Sequence, residues 1–153
     1  FEISMAKISA MFQMGQYLHY LTTGEEKIRN GNDDLFLCPF SFYKTKDSVR
    51  LSIGIVSDEQ FARFCQLIIG KPEWIKQFPT NIIRLNNSKE INAELSAIFS
   101  KKNSTEWLDL CKKYQIACTK VNKVSEALEQ PFGKNLVEYT KCNFPIIPVI
   151  PRY

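Results

Sequence analysis

The stretch Cys38–Gly70, CPFSFYKTKDSVRLSIGIVSDEQFARFCQLIIG, decides the fold, because it predicts two strands and a helix in immediate succession. The aromatic run Phe40–Tyr43 predicts the first strand. In residues 51–55, leucine and isoleucine alternate with smaller residues, which is the period of a strand with one buried face. The polar residues between the two runs, with Asp47-Ser48 at their centre, predict a hairpin turn.

The helix that follows has sequence signals at both ends. Ser57 is predicted to cap its first turn, and Gln60, three residues later, completes a capping-box pattern. Gly70 is predicted to end the helix in a left-handed conformation. One face of this helix is apolar and is predicted to be buried, and its residues are Phe61, Phe64, Cys65 and Ile68.

The composition is that of an ordinary globular domain, with 153 residues, 44% hydrophobic and 24% charged. A chain of this length can bury a core without disulfides or a metal ion. We find no apolar run long enough to span a membrane and no charged-then-apolar leader. The net charge of +4 is mild, and basic residues are not interleaved with exposed aromatic residues, so nucleic-acid binding is not expected. Because the chain opens at Phe1 in mid-pattern, we expect it to be a segment of a longer protein.

The five cysteines are odd in number and have no C-x-x-C spacing. With His19 as the single histidine, no metal site is expected. We interpret the cysteines as reduced core residues of a cytoplasmic protein. His19 is predicted to be a hydrogen-bonded helix residue, with a role as acid or base as the alternative.

Residues 3–22 are predicted to form one long helix, because apolar residues recur at helical spacing. Gly24 is predicted to end it, and the polar residues 25–34, with a turn at Asn30-Gly31, are predicted to be a linker. The residues of the apolar stripe are Met5, Ile8, Met11, Phe12, Gly15, Leu18, His19 and Leu21. A helix separated from the next domain by a linker is predicted to pack against another body.

The rest of the chain mixes helices and strands without a regular βαβ alternation. Asn87 with Glu90 and Asn103 with Glu106 predict two further capping boxes. The helix that begins at the first of these boxes is predicted to have one apolar face, formed by Ile91, Leu95, Ile98 and Phe99. Residues 116–121 predict a short strand, residues 122–129 one or two helical turns ended by a proline, and the proline-rich tail an extended edge segment. These elements predict an α+β fold, a small domain with a short antiparallel sheet flanked by helices.

Motifs for catalysis are scarce. The sequence has no Walker loop, no G-x-G-x-x-G and no G-x-S-x-G, and one histidine cannot supply a catalytic triad. The acidic pair Asp58-Glu59 stands out because it lies at a strand end and a helix start. The helix dipole is a sufficient reason for both carboxylates, and a substrate-facing role for Asp58 is the alternative. Taken alone, composition and pattern reveal no activity.

In order and spacing, a set of short runs over residues 39–131 resembles the small domain of the family III CoA-transferases. That family includes formyl-CoA transferase, carnitine CoA-transferase-like proteins and the 2-methylacyl-CoA racemases. The runs are Pro39-Phe40, Tyr43-Lys44-Thr45-Lys46-Asp47, Ser57-Asp58-Glu59-Gln60-Phe61, Phe64-Cys65, Gly70-Lys71-Pro72-Glu73-Trp74, Pro79-Thr80-Asn81 with Arg84, Thr105-Glu106-Trp107-Leu108, Ile116-Ala117-Cys118, Val121-Asn122-Lys123-Val124, and Glu126-Ala127-Leu128 before Pro131.

The resemblance implies a division of the chain into four parts. Residues 1–24 look like a helix of the family's Rossmann-like large domain, which the chain otherwise lacks, and residues 25–37 like the linker that leaves it. Residues 38–130 then correspond to the small α+β domain. Residues 131–153 look like the return linker and strand towards the large domain.

The resemblance also implies a function for the longer protein. The family moves CoA between acyl and carboxylate groups through covalent intermediates on a large-domain aspartate, and nothing in this chain corresponds to that aspartate. The small domain shapes the acyl pocket and excludes water, which protects a thioester from hydrolysis. CoA or acyl-CoA is then a substrate, with no covalently bound cofactor, and the protein is expected to be an interlocked homodimer without a metal, membrane or nucleic-acid partner.

Two residues are site candidates on this resemblance. Asp58 matches the place where the racemases carry an acid/base carboxylate, usually glutamate, and where transferases also carry aspartate. Met5 matches a position near the CoA channel, with a core methionine as the alternative. Residues 32–35, Asn-Asp-Asp-Leu, replace the glycine-rich loop of formyl-CoA transferases, so oxalate or formate is not the expected substrate. A 2-methylacyl-CoA racemase and a non-catalytic interaction module or inactive relative remain the alternative functions.

The apolar stripe carries one further expectation. In this chain Met5, Ile8, Phe12 and Leu18 would lack a large-domain partner. An exposed apolar patch promotes association, so a dimer or larger assembly is expected.

Overall fold

The computed structural model describes residues 4–134, 137–139, 141–143 and 145–146. Within them, three strands form an antiparallel sheet in the order β1-β2-β3, and two short strands form a separate hairpin. The strands are β1 Phe40–Lys44, β2 Arg50–Gly54, β3 Ala117–Lys120, β4 Glu138–Tyr139 and β5 Pro145–Ile146. The helices are α1 Met5–Phe12, α2 Met14–Thr23, α3 Asp58–Phe64, α4 Trp74–Gln77, α5 Asn81–Asn86, α6 Ser88–Phe99, α7 Ser104–Lys113, α8 Val124–Glu129 and α9 Pro131–Lys134. The predicted α+β fold with a short antiparallel sheet is confirmed.

The β1–β2 hairpin forms where the sequence predicts it. The pairs Phe40 with Gly54 and Lys44 with Arg50 mark the two ends of its register. At the turn, the Thr45 N–H donates to the Val49 carbonyl at 2.9 Å and Ser48 has a φ of 64°. A left-handed residue after a turn is the usual way to close a three-residue hairpin loop. The turn centred on Asp47-Ser48 is therefore confirmed.

The helix after β2 is also largely as predicted. Ser57 accepts a hydrogen bond from the Gln60 N–H at 3.2 Å and caps α3. The Gln60 side chain, however, accepts from the Val56 N–H at 2.9 Å, so the second half of the capping box binds the residue before the cap. The helix widens into a π-helical turn at Cys65–Ile69 and ends at Gly70, whose φ is 68°. Its predicted apolar face is fully buried.

The core lies between the inner face of the sheet and helices α3, α6 and α7. Its centre is Phe99, whose ring lies 5.1 Å from Tyr43, 6.5 Å from Phe64 and 4.5 Å from Trp107, measured between ring centroids. The Trp107 Nε1–H donates to the Phe99 carbonyl at 2.9 Å, so the indole is satisfied although buried. Buried residues of the predicted strand and helix faces join this cluster: Leu51, Ile53, Ile55, Ile91, Leu95 and Ile98.

The structure corrects three predictions about helices. The long helix predicted over residues 3–22 is two helices, because Gln13 has a φ of −103° and a ψ of 17°, outside the helical region. The predicted cap at Asn87 is wrong: its side chain donates to the Ile83 carbonyl at 2.8 Å, so it closes α5 rather than capping α6. Pro131 does end the preceding helix, but it also begins the one-turn helix α9.

The turn between β1 and β2 is tied to the start of α7 by one carboxylate, Asp47. Its oxygens accept from the Ser104 N–H at 3.0 Å, from the Ser104 hydroxyl at 2.7 Å and from the Thr45 hydroxyl. Hydrogen bonds from the Ser104 and Thr45 side chains lower the pKa of Asp47 from 3.8 to about 2. Because the pKa is lower in the folded state, this contribution to stability is present above about pH 4 and is lost as the pH falls towards 2.

We therefore expect the urea midpoint of the wild-type chain to fall between about pH 4 and pH 2, with Asp47→Asn lowering the midpoint at neutral pH and flattening its pH dependence in that window. Asp109→Asn, on the exposed side of α7, is the matched control and should keep the wild-type pH dependence. An Asp47→Asn curve parallel to the wild-type curve would show that Asp47 is not the group that titrates.

Candidate functional site

Asp58, the predicted site carboxylate, is the first residue of α3. Its Oδ1 accepts a hydrogen bond from the Arg84 guanidinium at 2.7 Å. The two side chains differ sharply in exposure, 59% for Asp58 and 1% for Arg84. A buried guanidinium therefore holds a carboxylate that still faces solvent.

Arg84 has partners on three sides. Its Nε donates to the Cys38 carbonyl at 2.8 Å and its Nη1 to the Phe78 carbonyl at 3.2 Å. The guanidinium carbon also lies 4.4 Å from the centroid of the Phe61 ring, which is a cation–π contact. Together with Asp58, these partners account for a charge that would be costly to bury alone.

The same helix anchors the chain entering β1 at a second point. Asn81 accepts from the Cys38 N–H at 3.0 Å and donates to the Phe36 carbonyl at 2.7 Å. Asn81 and Arg84 lie three residues apart, so they share one face of α5. This face fixes the Phe36–Cys38 segment and, through Arg84, the position of Asp58.

A cavity of about 390 Å³ opens on the outer face of the sheet next to this arrangement. Val56 and Gln60, on either side of Asp58 in the chain, line it, although Asp58 itself does not. The Phe40 ring covers Gly54 so closely that a Cβ at Gly54 would lie 2.7 Å from the ring. The cavity is thus an apolar cleft, and a side chain at position 54 would displace the Phe40 ring that borders it.

Met5, the other predicted site residue, is not brought to Asp58. It lies on α1, is 84% exposed, and neither α1 nor α2 buries any residue. The apolar stripe is exposed as the sequence led us to expect, with Phe12 at 88% and Leu21 at 75%. In this chain the two candidates therefore belong to two separate surfaces.

The thiols and His19 offer little chemistry. Burial raises the pKa of both Cys38 and Cys65 to about 12, so neither is a ready nucleophile at neutral pH. Cys142 is exposed, contrary to the prediction that every cysteine is a core residue. The His19 ring packs edge-on against Phe36 with 5.8 Å between centroids, and its buried Nε2 has no hydrogen-bond partner among the described residues. The prediction of a hydrogen-bonded histidine is wrong for that nitrogen.

The described residues contain neither a cluster of metal ligands nor a helix that could span a membrane. No group of three or more His, Cys, Asp or Glu side chains in this part of the chain could hold a metal ion. Among the helices that the structure describes, none combines the length and apolarity needed to cross a membrane.

Arg84 is the site residue that sequence reasoning missed. It appears in the sequence as a single arginine within the apolar run Ile82–Leu85, which is the available signal for a buried cation. Two of its hydrogen-bond partners, Asp58 and the Cys38 carbonyl, are 26 and 46 positions away, so no local pattern indicates them.

Bacterial proteins of known structure have a similar fold. The Rv3272 protein of Mycobacterium tuberculosis superposes with a TM-score of 0.76 at 19% identity, covering 99% of this chain and 39% of that protein. A CAIB/BAIF family protein from Brucella suis gives a TM-score of 0.70 at 22% identity, covering 90% of this chain and 37% of that protein. The α+β domain described above is thus of the fold found in these proteins.

Sequence comparisons are more specific. The model of CoA-transferase family III matches residues 1–139. The mouse succinyl-CoA:glutarate CoA-transferase is 32% identical over 114 residues, covering 73% of this chain and 26% of the mouse protein. The succinate–glutarate CoA-transferase of Agrobacterium fabrum is 24% identical over 131 residues, covering 85% of this chain and 32% of that protein. The chain belongs to CoA-transferase family III, and it spans 26% to 32% of the length of these curated relatives.

Proposed function

We propose that this chain acts as the small domain of a CoA-transferase that moves CoA between carboxylic acids. The observation that carries the proposal is the match to the family model over residues 1–139. Because the relatives are three to four times as long as the matched region, we place the carboxylate that attacks the thioester in a large domain outside this chain. The relatives' names make succinyl-CoA and glutarate the first donor and acceptor to test.

The reaction we propose follows from carboxylate chemistry. The large-domain carboxylate attacks the thioester carbonyl, releases CoA thiolate and becomes a mixed anhydride. The thiolate attacks the anhydride at the enzyme's carbonyl, which frees the first acid and leaves an enzyme–CoA thioester. The acceptor carboxylate then repeats the sequence in reverse and leaves as the new acyl-CoA. Water competes with the acceptor at both intermediates, so a domain that covers the site protects them.

The exposed helices support a missing partner domain. Residues 5–23 contain one charged residue, Lys7, and none of them is buried. Large apolar side chains left in solvent are typical of an interface surface. We propose that the large domain covers α1 and α2, that Met5 then lies near the CoA channel, and that the full-length protein is a homodimer.

Asp58 is the residue through which this domain is proposed to act on the acyl group. Arg84 fixes its Oδ1, and its Oδ2 makes no hydrogen bond among the described residues. A carboxylate that is held in place and still solvent-facing can contact a substrate bound above it. The same geometry keeps a 2-methylacyl-CoA racemase as the second candidate, since an oriented carboxylate is also what α-proton exchange requires.

The test begins with the mass of the protein isolated from its source. A native chain about three to four times as long is expected, and it should convert succinyl-CoA and glutarate to glutaryl-CoA and succinate. Hydroxylamine should inactivate it in the presence of succinyl-CoA, because it cleaves the thioester and anhydride intermediates. The 153-residue chain is expected to show no transfer.

Deuterium uptake at the α-carbon of a 2-methylacyl-CoA separates the alternatives. Deuterium exchange at the α-carbon without CoA transfer would show that the protein is a racemase rather than a transferase. A native mass equal to that of this chain, together with no activity, would overturn both enzyme proposals and favour a binding module.

Asp58→Asn in the full-length protein should lower the rate of either reaction, with Glu59→Gln as the neighbouring control.

A further inference from the structure

A second cleft, of about 350 Å³, lies at the open edge of β1, away from the Asp58 arrangement. Phe42 and Lys44 on β1 and Arg50 on β2 form one side of it. Ser96 and Ser100 of α6 line the opposite side. Among the described residues that line the cleft, two are cationic and none is anionic.

The two cations are direct neighbours. Lys44 and Arg50 are opposite each other in the β1–β2 register, so their side chains project from the same face of the sheet. Like charges in this arrangement destabilise a strand pair. Neither side chain has an ion-pair partner among the residues that the structure describes. An anion bound between them would remove the repulsion.

Backbone donors add to the positive character of the cleft. The Thr45 N–H donates to Val49 and the Ile55 N–H donates to Pro39, which places the odd-numbered residues of β1 in the ladder with β2. In an antiparallel pair the alternate residues then turn their N–H groups the other way. The N–H groups of Phe42 and Lys44 therefore point to the open edge.

The two serine hydroxyls already donate their protons within α6, so the cations are the groups that attract an anion. Ser96 donates to the Asn92 carbonyl at 2.7 Å and Ser100 to the Ala97 carbonyl at 2.9 Å. Their protons are thus engaged within α6, and they act as a polar wall. Phe42, 42% exposed, presents an aromatic ring beside the cations.

We propose that this cleft binds a nucleotide, with its phosphate groups between Lys44 and Arg50 and its base against the Phe42 ring. Arginine and lysine are the usual phosphate-binding side chains, and every base has a face that stacks on an aromatic ring. This binding would use only residues that line the cleft and does not depend on CoA transfer.

The experiment titrates the chain with ADP, pyrophosphate and adenosine, followed by amide chemical shifts and calorimetry at low and high salt. We expect saturable ADP binding that weakens with salt, with shifts centred on Phe42, Lys44, Arg50, Ser96 and Ser100. Lys44→Gln and Arg50→Gln should each weaken ADP binding about tenfold. Phe42→Leu should weaken binding of ADP but not of pyrophosphate.

Lys89→Gln, which removes a charge from α6 outside the cleft, is the matched control and should leave binding unchanged. Equal losses in all three charge variants, shifts centred elsewhere, or ADP binding no tighter than pyrophosphate would overturn the proposal. CoA carries the same chemistry, so a CoA titration identifies the source. Tighter binding of CoA than of ADP assigns the cleft to the nucleotide end of CoA, and weaker binding assigns it to free nucleotides.

Discussion

Replacing Arg84 by methionine is expected to lower the free energy of unfolding by about 4 kcal/mol. Methionine fills much of the same space but cannot donate to the buried carbonyls of Cys38 and Phe78, which then lose their partners. The contact with the Phe61 ring also changes from cation–π to apolar. Urea unfolding followed by far-UV circular dichroism measures the change, with the slope of the transition compared to confirm two-state behaviour.

Asp58→Asn distinguishes the contribution of Asp58 to stability from that of Arg84. Because the Asp58 side chain is 59% exposed and an asparagine oxygen can still accept a hydrogen bond from Arg84, we expect a loss of about 1 kcal/mol. If Asp58→Asn costs as much as Arg84→Met, the stability resides in the ion pair rather than in the backbone contacts of Arg84. A stable Asp58→Asn variant is also what makes the activity test of Asp58 interpretable.

Phe99→Ala is expected to destabilise the chain by about 4 kcal/mol. Phe99 is fully buried, and its ring contacts those of Tyr43, Phe64 and Trp107. Alanine would leave a cavity at the centre of three rings that are held by separate elements, so the surroundings can collapse only partly. The melting temperature should fall by roughly 8–16 °C.

Phe99→Leu is the matched variant, because it keeps an apolar side chain and the carbonyl that accepts from Trp107. We expect it to cost roughly 1–2 kcal/mol. A loss from Phe99→Leu equal to that from Phe99→Ala would show that ring geometry, rather than filled volume, holds this core together.

The parts of the fold that were predicted correctly are those in which one short pattern determines the structure. Alternation at 51–55 placed β2, and helical spacing placed the buried faces of α3 and α6, because burial repeats with the period of the backbone. The break at Gln13 could not be predicted in this way, since the apolar residues continue in register on both sides of it. Asn87 misled because its side chain can bond either to the preceding helix or to the following one.

The candidate site was predicted only in part. Resemblance indicated Asp58 and Met5, but the partner that positions Asp58 is Arg84, whose contacts join segments far apart in the chain. The second cleft, at the open edge of β1, was not predicted for a similar reason. Lys44 and Arg50 become neighbours only when the register of β1 and β2 is known, and the serines on its other side come from α6.

The two bonds from α5 to Cys38 also set how fast different amides exchange with solvent. The Cys38 N–H is bound by Asn81 while its carbonyl is bound by Arg84, so this amide can meet deuterium only when α5 separates from the rest of the core. The amides of α1 and α2 are protected by no buried side chain of their own and can exchange through local opening. Protection from hydrogen exchange would therefore rise abruptly along residues 24–38. The slow-exchanging part of the chain would begin where Asn81 and Arg84 of α5 bind Cys38.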